Sequence, residues 1–436
     1  MTFALDVLDL PTDQQAARSL GGGKAANLAV MARDLGLPVP PAFVLTTQTC
    51  RTFLATGWPD GLDAELRARM AALEVAVGRG FGDAADPLLV SVRSGAPVSM
   101  PGMMDTILNL GLTSSTMPGL ARVDDEAFAA ACRGRFVSSF RSIVGVADVP
   151  DDPWQQLRLA IEAVFRSWQS DRARTYRERE GIPDDLGTAV TVQAMVFGNR
   201  GATSATGVLF TRDPATGAPE LYGDLLFDAQ GEDVVAGTHR TEPISALDDR
   251  LPAVGAELRD IARRLERHYA DLCDIEFTIE DGKLWMLQVR VGKRSPQAAL
   301  RIAVEMVEDA DFPLNRADAV ARVAPLLADP PRTTSARSHL LLPIATGLPA
   351  SPGLASGPIV TDPAAAVRAA EAGTPAILIR AETSPEDVHG MSVATGVLTS
   401  RGGLASHAAV VARGWGIPAV VGASGVVVAS GRVTIG

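Results

Sequence analysis

Apolar and polar positions repeat along the chain with two periods, one typical of helices and one typical of strands. Apolar residues three or four positions apart predict helices over 25–36, 120–180, about 251–270 and 296–327. A period of two predicts strands at 188–197 (TAVTVQAMVF), 376–380 (AILIR) and 396–400 (GVLTS). Helices and strands interspersed in this way indicate a chain of mixed α/β and α+β class.

The segment 275–290 (IEFTIEDGKLWMLQVR) predicts a β-hairpin. A three-residue loop over 280–282 separates polar from apolar side chains, with Gly282 as a left-handed bulge residue. A two-residue turn would mix the two faces, so we predict the three-residue loop. The polar face of this hairpin then consists of Asp274, Glu276, Gln288 and Arg290. Carboxylate and amide oxygens suit Mg²⁺ and a guanidinium suits phosphate, although a solvated strand face explains the pattern equally well.

A chain of 436 residues is too long for one ordinary core, which predicts two or three domains. Residues 328–343 (ADPPRTTSARSHLLLP) lack periodicity and are rich in Pro, Ser, Thr and Arg, so they predict a linker. We expect one domain over 1–327, with a helical subdomain at about 115–185, and a small α/β domain over 344–436.

Composition narrows the class of protein. Lys and Arg total 40 against 51 Asp and Glu, a net charge of −11, so we expect no nucleic-acid partner. The three cysteines show no zinc or disulfide spacing, which is typical of a reducing compartment. No segment has a basic leader or approaches the roughly 18 apolar residues of a membrane span. We therefore expect a cytoplasmic protein without a membrane partner.

One histidine stands in an unusual context, within TSRGGLASHAAVVARG (399–414). The strand GVLTS, a glycine turn and a helix capped by Ser406 would place His407 in the first helical turn. The helix start favours an anion there, and a neutral imidazole is a competent nucleophile near pH 7. For a lone histidine, a surface position without chemistry is the commoner interpretation.

Two glycine-containing stretches suggest phosphate handling. GGGKAANL (21–28) places Lys24 after three glycines, although a flexible helix entry is the simpler interpretation. It is not a P-loop, because Ala25 stands where Ser or Thr would bind magnesium. In SVRSGAPVSMPGMMDTILNLGL (91–112), Arg93 precedes a glycine-containing loop, an arrangement that suits a polyphosphate.

These stretches resemble a known family. GGLASHAAVVARGWGIPAVVG resembles the phosphohistidine domain of the pyruvate, phosphate dikinase and phosphoenolpyruvate synthase superfamily, and 91–112 is similar to the nucleotide-binding domain of the dikinases. The resemblance implies an ATP-grasp domain followed by a swivelling β/β/α phosphohistidine domain. It implies that His407 carries phosphoryl groups and that Glu276 and Gln288 bind Mg²⁺. It assigns nucleotide binding to Lys24, Arg93, Gly102, Asp105, Glu232, Asp274 and Arg290.

The implied reaction converts ATP, inorganic phosphate and pyruvate to AMP, diphosphate and phosphoenolpyruvate. Members of the family continue into a C-terminal barrel that binds pyruvate and phosphoenolpyruvate. This sequence is instead expected to end before the last strands of the phosphohistidine domain, which would leave that domain incomplete. A fragment and a natural short form with a separate acceptor-domain partner are both open. Two alternative functions remain open. The chain could be a phosphotransferase that uses another acceptor, or a non-catalytic ATP-binding module.

Two details bear on regulation and local structure. Ala405 stands where dikinases usually carry a threonine that is a regulatory target, so control through that hydroxyl is not expected. The segment ETSPEDV (382–388) also matches the family, but Ser384 to Asp387 reads as a capping box with proline at the first helical position. We therefore interpret it as mainly structural, like His239, His268, His339 and His389.

Overall fold

The computed structural model describes residues 2–98, 100, 104–236, 241–310, 312–328, 330, 342–404, 406–429 and 431–436. The chain divides into two compact units. Unit one comprises Met1–Arg200 and Trp285–Gln288, and unit two comprises Gly201–Leu284 and Val289–Gly436.

Unit one contains an antiparallel five-stranded sheet in the order β1-β2-β7-β5-β6. A short parallel pair, β3 and β4, lies outside it. The strands of this unit are β1 Ala4–Asp6, β2 Ala42–Leu45, β3 Gly80–Phe81, β4 Pro87–Leu88, β5 Val90–Gly95, β6 Thr106–Leu110 and β7 Ala189–Ala194. The strand predicted at 188–197 is confirmed as β7.

Seven α-helices accompany this sheet in the part of the chain that the structure describes. They are α1 Gln14–Ala29, α2 Thr47–Thr56, α3 Leu62–Val77, α4 Met117–Val123, α5 Glu126–Val144, α6 Pro153–Ser167 and α7 Asp171–Glu180. Side-chain caps explain where several begin: Asp13, Asp125 and Asp152 each accept an amide N–H of the following turn. Phenylalanines of α5 and α6 join the core against the sheet, and the helical prediction for 120–180 is confirmed.

The strands of two further five-stranded sheets belong to unit two, except for residues Trp285–Gln288, which belong to unit one. The first has the order β10-β9-β8-β11-β12, and its strands are β8 Ala205–Phe210, β9 Tyr222–Phe227, β10 Glu242–Pro243, β11 Cys273–Glu280 and β12 Lys283–Val291. The helices of this region are α8 Gly231–Ala236, α9 Ala246–Arg250, α10 Pro252–Tyr269, α11 Pro296–Glu308 and α12 Arg316–Ala328. They confirm the helices predicted near 251–270 and 296–327.

The second sheet of unit two has the order β13-β17-β16-β15-β14, in which β14 to β17 are parallel and β13 is antiparallel. Its elements are β13 Leu348–Ser351, β14 Ile359–Val360, α13 Pro363–Glu371, β15 Ile377–Arg380, α14 Val388–Met391, β16 Gly396–Thr399, α15 His407–Trp415 and β17 Ala419–Val421, with a hairpin β18 Val426–Ala429 and β19 Arg432–Ile435. Ala408, Ala409 and Ala412 of α15 are buried in its core. This packing explains the small apolar residues that follow His407.

The hairpin of β11 and β12 differs from its prediction. Its loop has two residues, Asp281 and Gly282, with φ of 50° and 76°. Two positive φ values in succession define a type I′ turn, whose twist matches that of the flanking strands. The prediction of a three-residue loop was wrong. It assumed that the hairpin has one polar and one apolar face, whereas the polar residues Asp274 and Thr278 are buried like their apolar neighbours.

The predicted linker 328–343 falls largely outside the described residues, which here include only 328, 330, 342 and 343. Among the helices in the described ranges, none is long and apolar enough to cross a membrane.

Candidate functional site

The glycine run of unit one forms a sharp bend inside α1. Gly22 has φ 74° and ψ 166°, which interrupts the helix. A Cβ atom at Gly22 would overlap the carbonyl oxygen of Gly95 and lie 2.5 Å from its carbonyl carbon. Gly23 donates its N–H to Ala96 O at 2.9 Å. The glycines therefore let α1 touch the end of β5, with Lys24 beside Gly95.

Arg93 lies on β5, two residues before Gly95, and is half-buried. Its NH1 donates to Gln193 Oε1 at 3.4 Å and to Leu287 O at 3.2 Å. The structure thus brings Lys24 and Arg93 to one end of one strand, as two cations suited to phosphate oxygens.

Two other predicted residues of unit one are Asp105 and Gly102. Asp105 precedes β6 and forms an ion pair with Arg172 of α7. Gly102 lies outside the described residues.

In unit two, Asp274 and Arg290 form an ion pair of 2.7 Å. Asp274 is 4% exposed, and this burial raises its pKa, an effect that Arg290 opposes. The prediction that these two side chains lie together is confirmed.

The predicted metal ligands are Glu276 and Gln288. Glu276 is half-buried on β11, two positions after Asp274, so the two carboxylates share a face of that strand. Gln288 is buried in the part of β12 that belongs to unit one. Within the described ranges, no group of three or more His, Cys, Asp and Glu is placed to hold a metal ion by itself. Oxygen donors of this kind fit Mg²⁺ that also binds substrate phosphates.

Glu232 belongs to α8, whose backbone is described. Its side chain is outside the described part of the structure.

His407 is the first residue of α15, as predicted. The Ser406 hydroxyl caps this helix by accepting the Ala409 N–H at 3.4 Å, and Gly402 turns the chain before it with φ 97°. The ring is half-buried and its Nδ1 lies 3.0 Å from Thr383 Oγ1. Nε2 is buried and has no hydrogen-bond partner among the described residues.

Burial lowers the pKa of His407 to about 4, and the Asp387 carboxylate opposes this shift in part. The imidazole is therefore neutral at pH 7. A neutral ring with one nitrogen held by a hydroxyl and the other unbonded is arranged as a nucleophile.

Thr383 is a candidate site residue that the sequence interpretation missed. The capping interaction in this segment exists, because Asp387 Oδ2 accepts the Ser384 N–H at 2.8 Å. The residue just before the cap, however, contacts the histidine. A topological signal could have found it: Thr383 and His407 follow the neighbouring parallel strands β15 and β16, whose carboxyl ends meet at one edge.

The sequence matches the family model described as "Pyruvate phosphate dikinase, AMP/ATP-binding domain" over residues 18–76, 55–256 and 252–311, more than half of the chain. The chain belongs to this pyruvate phosphate dikinase family. Residues 372–435, which include His407, match a second model, "PEP-utilising enzyme, mobile domain". The predicted family and the multidomain α/β fold class, an ATP-grasp-type domain with a PEP-utilising mobile domain, are confirmed.

Curated relatives carry the dikinase name. The chain is 45% identical over 470 residues to pyruvate, phosphate dikinase of Rhizobium meliloti, covering 93% of this chain and 52% of that protein. It is 45% identical to pyruvate, phosphate dikinase 2 of Oryza sativa (94% and 51%) and 43% identical to the chloroplastic dikinase 1 of Arabidopsis thaliana (93% and 47%). The chain therefore spans about half the length of the dikinases that it matches.

Proposed function

We propose that this chain carries out the nucleotide half of the pyruvate, phosphate dikinase reaction. His407 Nε2 attacks the β-phosphorus of ATP, the bond to the α-phosphate oxygen breaks, and AMP leaves. Inorganic phosphate then accepts the terminal phosphoryl group as diphosphate and leaves phosphohistidine. Pyruvate is the proposed final acceptor, which gives phosphoenolpyruvate, at an acceptor site on a further domain or a separate partner.

The observation that carries this proposal is the state of His407. Its ring is neutral, its Nδ1 is held by Thr383 Oγ1 at 3.0 Å, and it stands at the first position of a helix. A proton on Nδ1, donated to Thr383, leaves the lone pair on Nε2. The unpaired N–H groups of the helix start would favour the phosphoryl group once formed.

The remaining predicted residues are proposed to bind the nucleotide and its metal. Lys24, Arg93 and Arg290 supply positive charge to phosphate oxygens. The other proposed nucleotide contacts are Gly102, Asp105, Glu232 and Asp274. Glu276 and Gln288 would hold Mg²⁺, which when bound neutralises phosphate charge.

The proposed domains are 1–327 for nucleotide binding and 344–436 for the phosphohistidine, joined by a linker at 328–343. A tether of this kind keeps the histidine at a high effective concentration near its partners. We also infer a cytoplasmic location without nucleic-acid partners, which the net charge of −11 and the three buried cysteines, none of them in a disulfide, support.

The test is labelling of the purified chain with ATP that carries ³²P in the β position, in the presence of Mg²⁺. We expect acid-labile label on the wild type and none on His407→Asn. His389→Asn is the matched control, because His389 is an exposed histidine on α14 of the same region. It should label at the wild-type rate.

Two outcomes would overturn the proposal. Label that persists in His407→Asn would place the acceptor atom elsewhere. A wild-type chain that binds ATP but neither acquires label nor releases AMP would be a non-catalytic binding module.

A further inference from the structure

The backbone of Leu404 is hydrogen-bonded by two charged side chains, one at its N–H and one at its carbonyl oxygen. Its N–H donates to Asp224 Oδ2 at 2.9 Å, and its carbonyl oxygen accepts from Arg413 NH2 at 3.1 Å. Asp224 lies on β9, whereas Arg413 lies on α15 with His407. Two charged groups thus fix the backbone three residues before the proposed nucleophile.

Asp224 is rigidly placed for this contact. It is 7% exposed, and its second oxygen accepts the Thr241 hydroxyl at 3.1 Å. The neighbouring Gly403 leaves room for the carboxylate: a Cβ at position 403 would overlap Asp224 Oδ2 and lie 3.0 Å from its Cγ. Glycine is therefore required at position 403 because of the Asp224 side chain, and not because the backbone there has a positive φ.

Arg413 forms the other half of the contact and is 1% exposed. Its Nε donates to Ala350 O at 3.0 Å, and its guanidinium carbon lies 5.1 Å from the ring centre of Phe210 on β8. Its NH1 is buried and has no hydrogen-bond partner among the described residues.

The surroundings of Arg413 limit how strongly this contact is held. Burial lowers its pKa, and the charges of Tyr222, Asp274 and Asp213 oppose that shift. A buried cation with an unpaired donor costs free energy that hydration would recover.

We propose that Asp224 and Arg413 are positioning residues that dock the turn before His407 onto the sheet of β8, β9 and β11 for the nucleotide reaction. This inference rests on the proposed function. Asp274, one of the proposed nucleotide residues, lies on β11 of the same sheet and exerts an electrostatic effect on Arg413. Docking through Leu404 would bring the imidazole to the strands that carry the nucleotide contacts.

The decisive experiment is a double-mutant cycle of Gly403→Ala and Asp224→Ala, read as the rate of ³²P labelling from ATP. Gly403→Ala alone should slow labelling at least about tenfold, because its methyl group and the carboxylate exclude each other. In the Asp224→Ala background the same change should alter the rate less than about twofold, since the obstructing group is absent. Equal effects in the two backgrounds would overturn the proposal.

Gly414→Ala is the matched control for the added methyl group. A Cβ there would meet only the Lys293 side chain at 3.5 Å or more, which is ordinary van der Waals contact. It should label like the wild type. An equal loss in Gly414→Ala and Gly403→Ala would show a general disturbance of α15 and would contradict the proposal.

A second readout does not depend on catalysis. Amide hydrogen exchange at Leu404 should be slow in the wild type and at least about tenfold faster in Asp224→Ala, because its acceptor is lost. Unchanged exchange overturns the docking contact, whatever the labelling shows. The wild type could also fail to label while exchange at Leu404 still depends on Asp224. That result would overturn the proposed function and the positioning role that rests on it, but the contact between Asp224 and Leu404 would stand.

Discussion

Two glycines permit close approaches in this molecule, and they do so for different reasons. Gly22 of unit one has a positive φ and lies against the backbone of Gly95, so two main chains meet. Gly403 of unit two lies against the carboxylate of Asp224, and it is Gly402 beside it that has the positive φ. A contact between two main chains is a fixed part of the fold. A contact that depends on one carboxylate can be removed by a single substitution, without a change in the backbone of either element.

The largest expected effect concerns the fixed contact. Gly22→Ala should lower the free energy of unfolding by about 3 kcal/mol or more, because it combines a backbone overlap with a conformation that alanine disfavours. Gly23→Ala is the control. Its Cβ would lie 3.5 Å from Ala96 O, and the backbone at Gly23 does not have a positive φ. Urea unfolding of both variants measures the difference. Similar stability losses would show that the bend tolerates a side chain.

A smaller effect is expected at the hydroxyl that holds the histidine. Thr383→Val should slow labelling about tenfold, because the ring loses the hydrogen bond that fixes its orientation and tautomer. Thr383→Ser retains the oxygen and should recover most of the rate. ³²P labelling under single-turnover conditions measures both variants. A serine variant as slow as the valine variant would assign Thr383 a packing role only.

The last expected effect is a pH dependence of stability that arises from His407 in unit two. The pKa of His407 is lowered to about 4 from an ordinary value of 6.5, so the unfolded chain binds more protons between these values. The contribution of His407 to stability is therefore complete above about pH 6.5 and declines as pH falls towards 4. We expect His407→Gln to flatten the pH dependence of unfolding in this window. An NMR titration of the ring with a midpoint near 6.5 would contradict the lowered pKa.

The sequence was informative where a local pattern decides local structure. The cap at Ser406, the helix start at His407 and the strand before them were predicted from neighbouring residues, since capping and periodicity are short-range effects. The prediction of the hairpin loop was wrong because it assumed that polar residues mark a solvent-exposed face of the strands. Asp274 is instead only 4% exposed, and its burial depends on elements packed against the strand, which no local pattern carries.

The sequence alone determined the family and pointed to His407, because a long run of residues around that position has a distinctive order. Only the tertiary structure decided which distant residues contact the stretch of chain around His407. Thr383 lies 24 positions before the histidine and Asp224 lies 180 positions before Leu404, yet folding places both against the same turn. Contacts over such separations depend on how strands pair and sheets are covered, so they are a property of the whole chain.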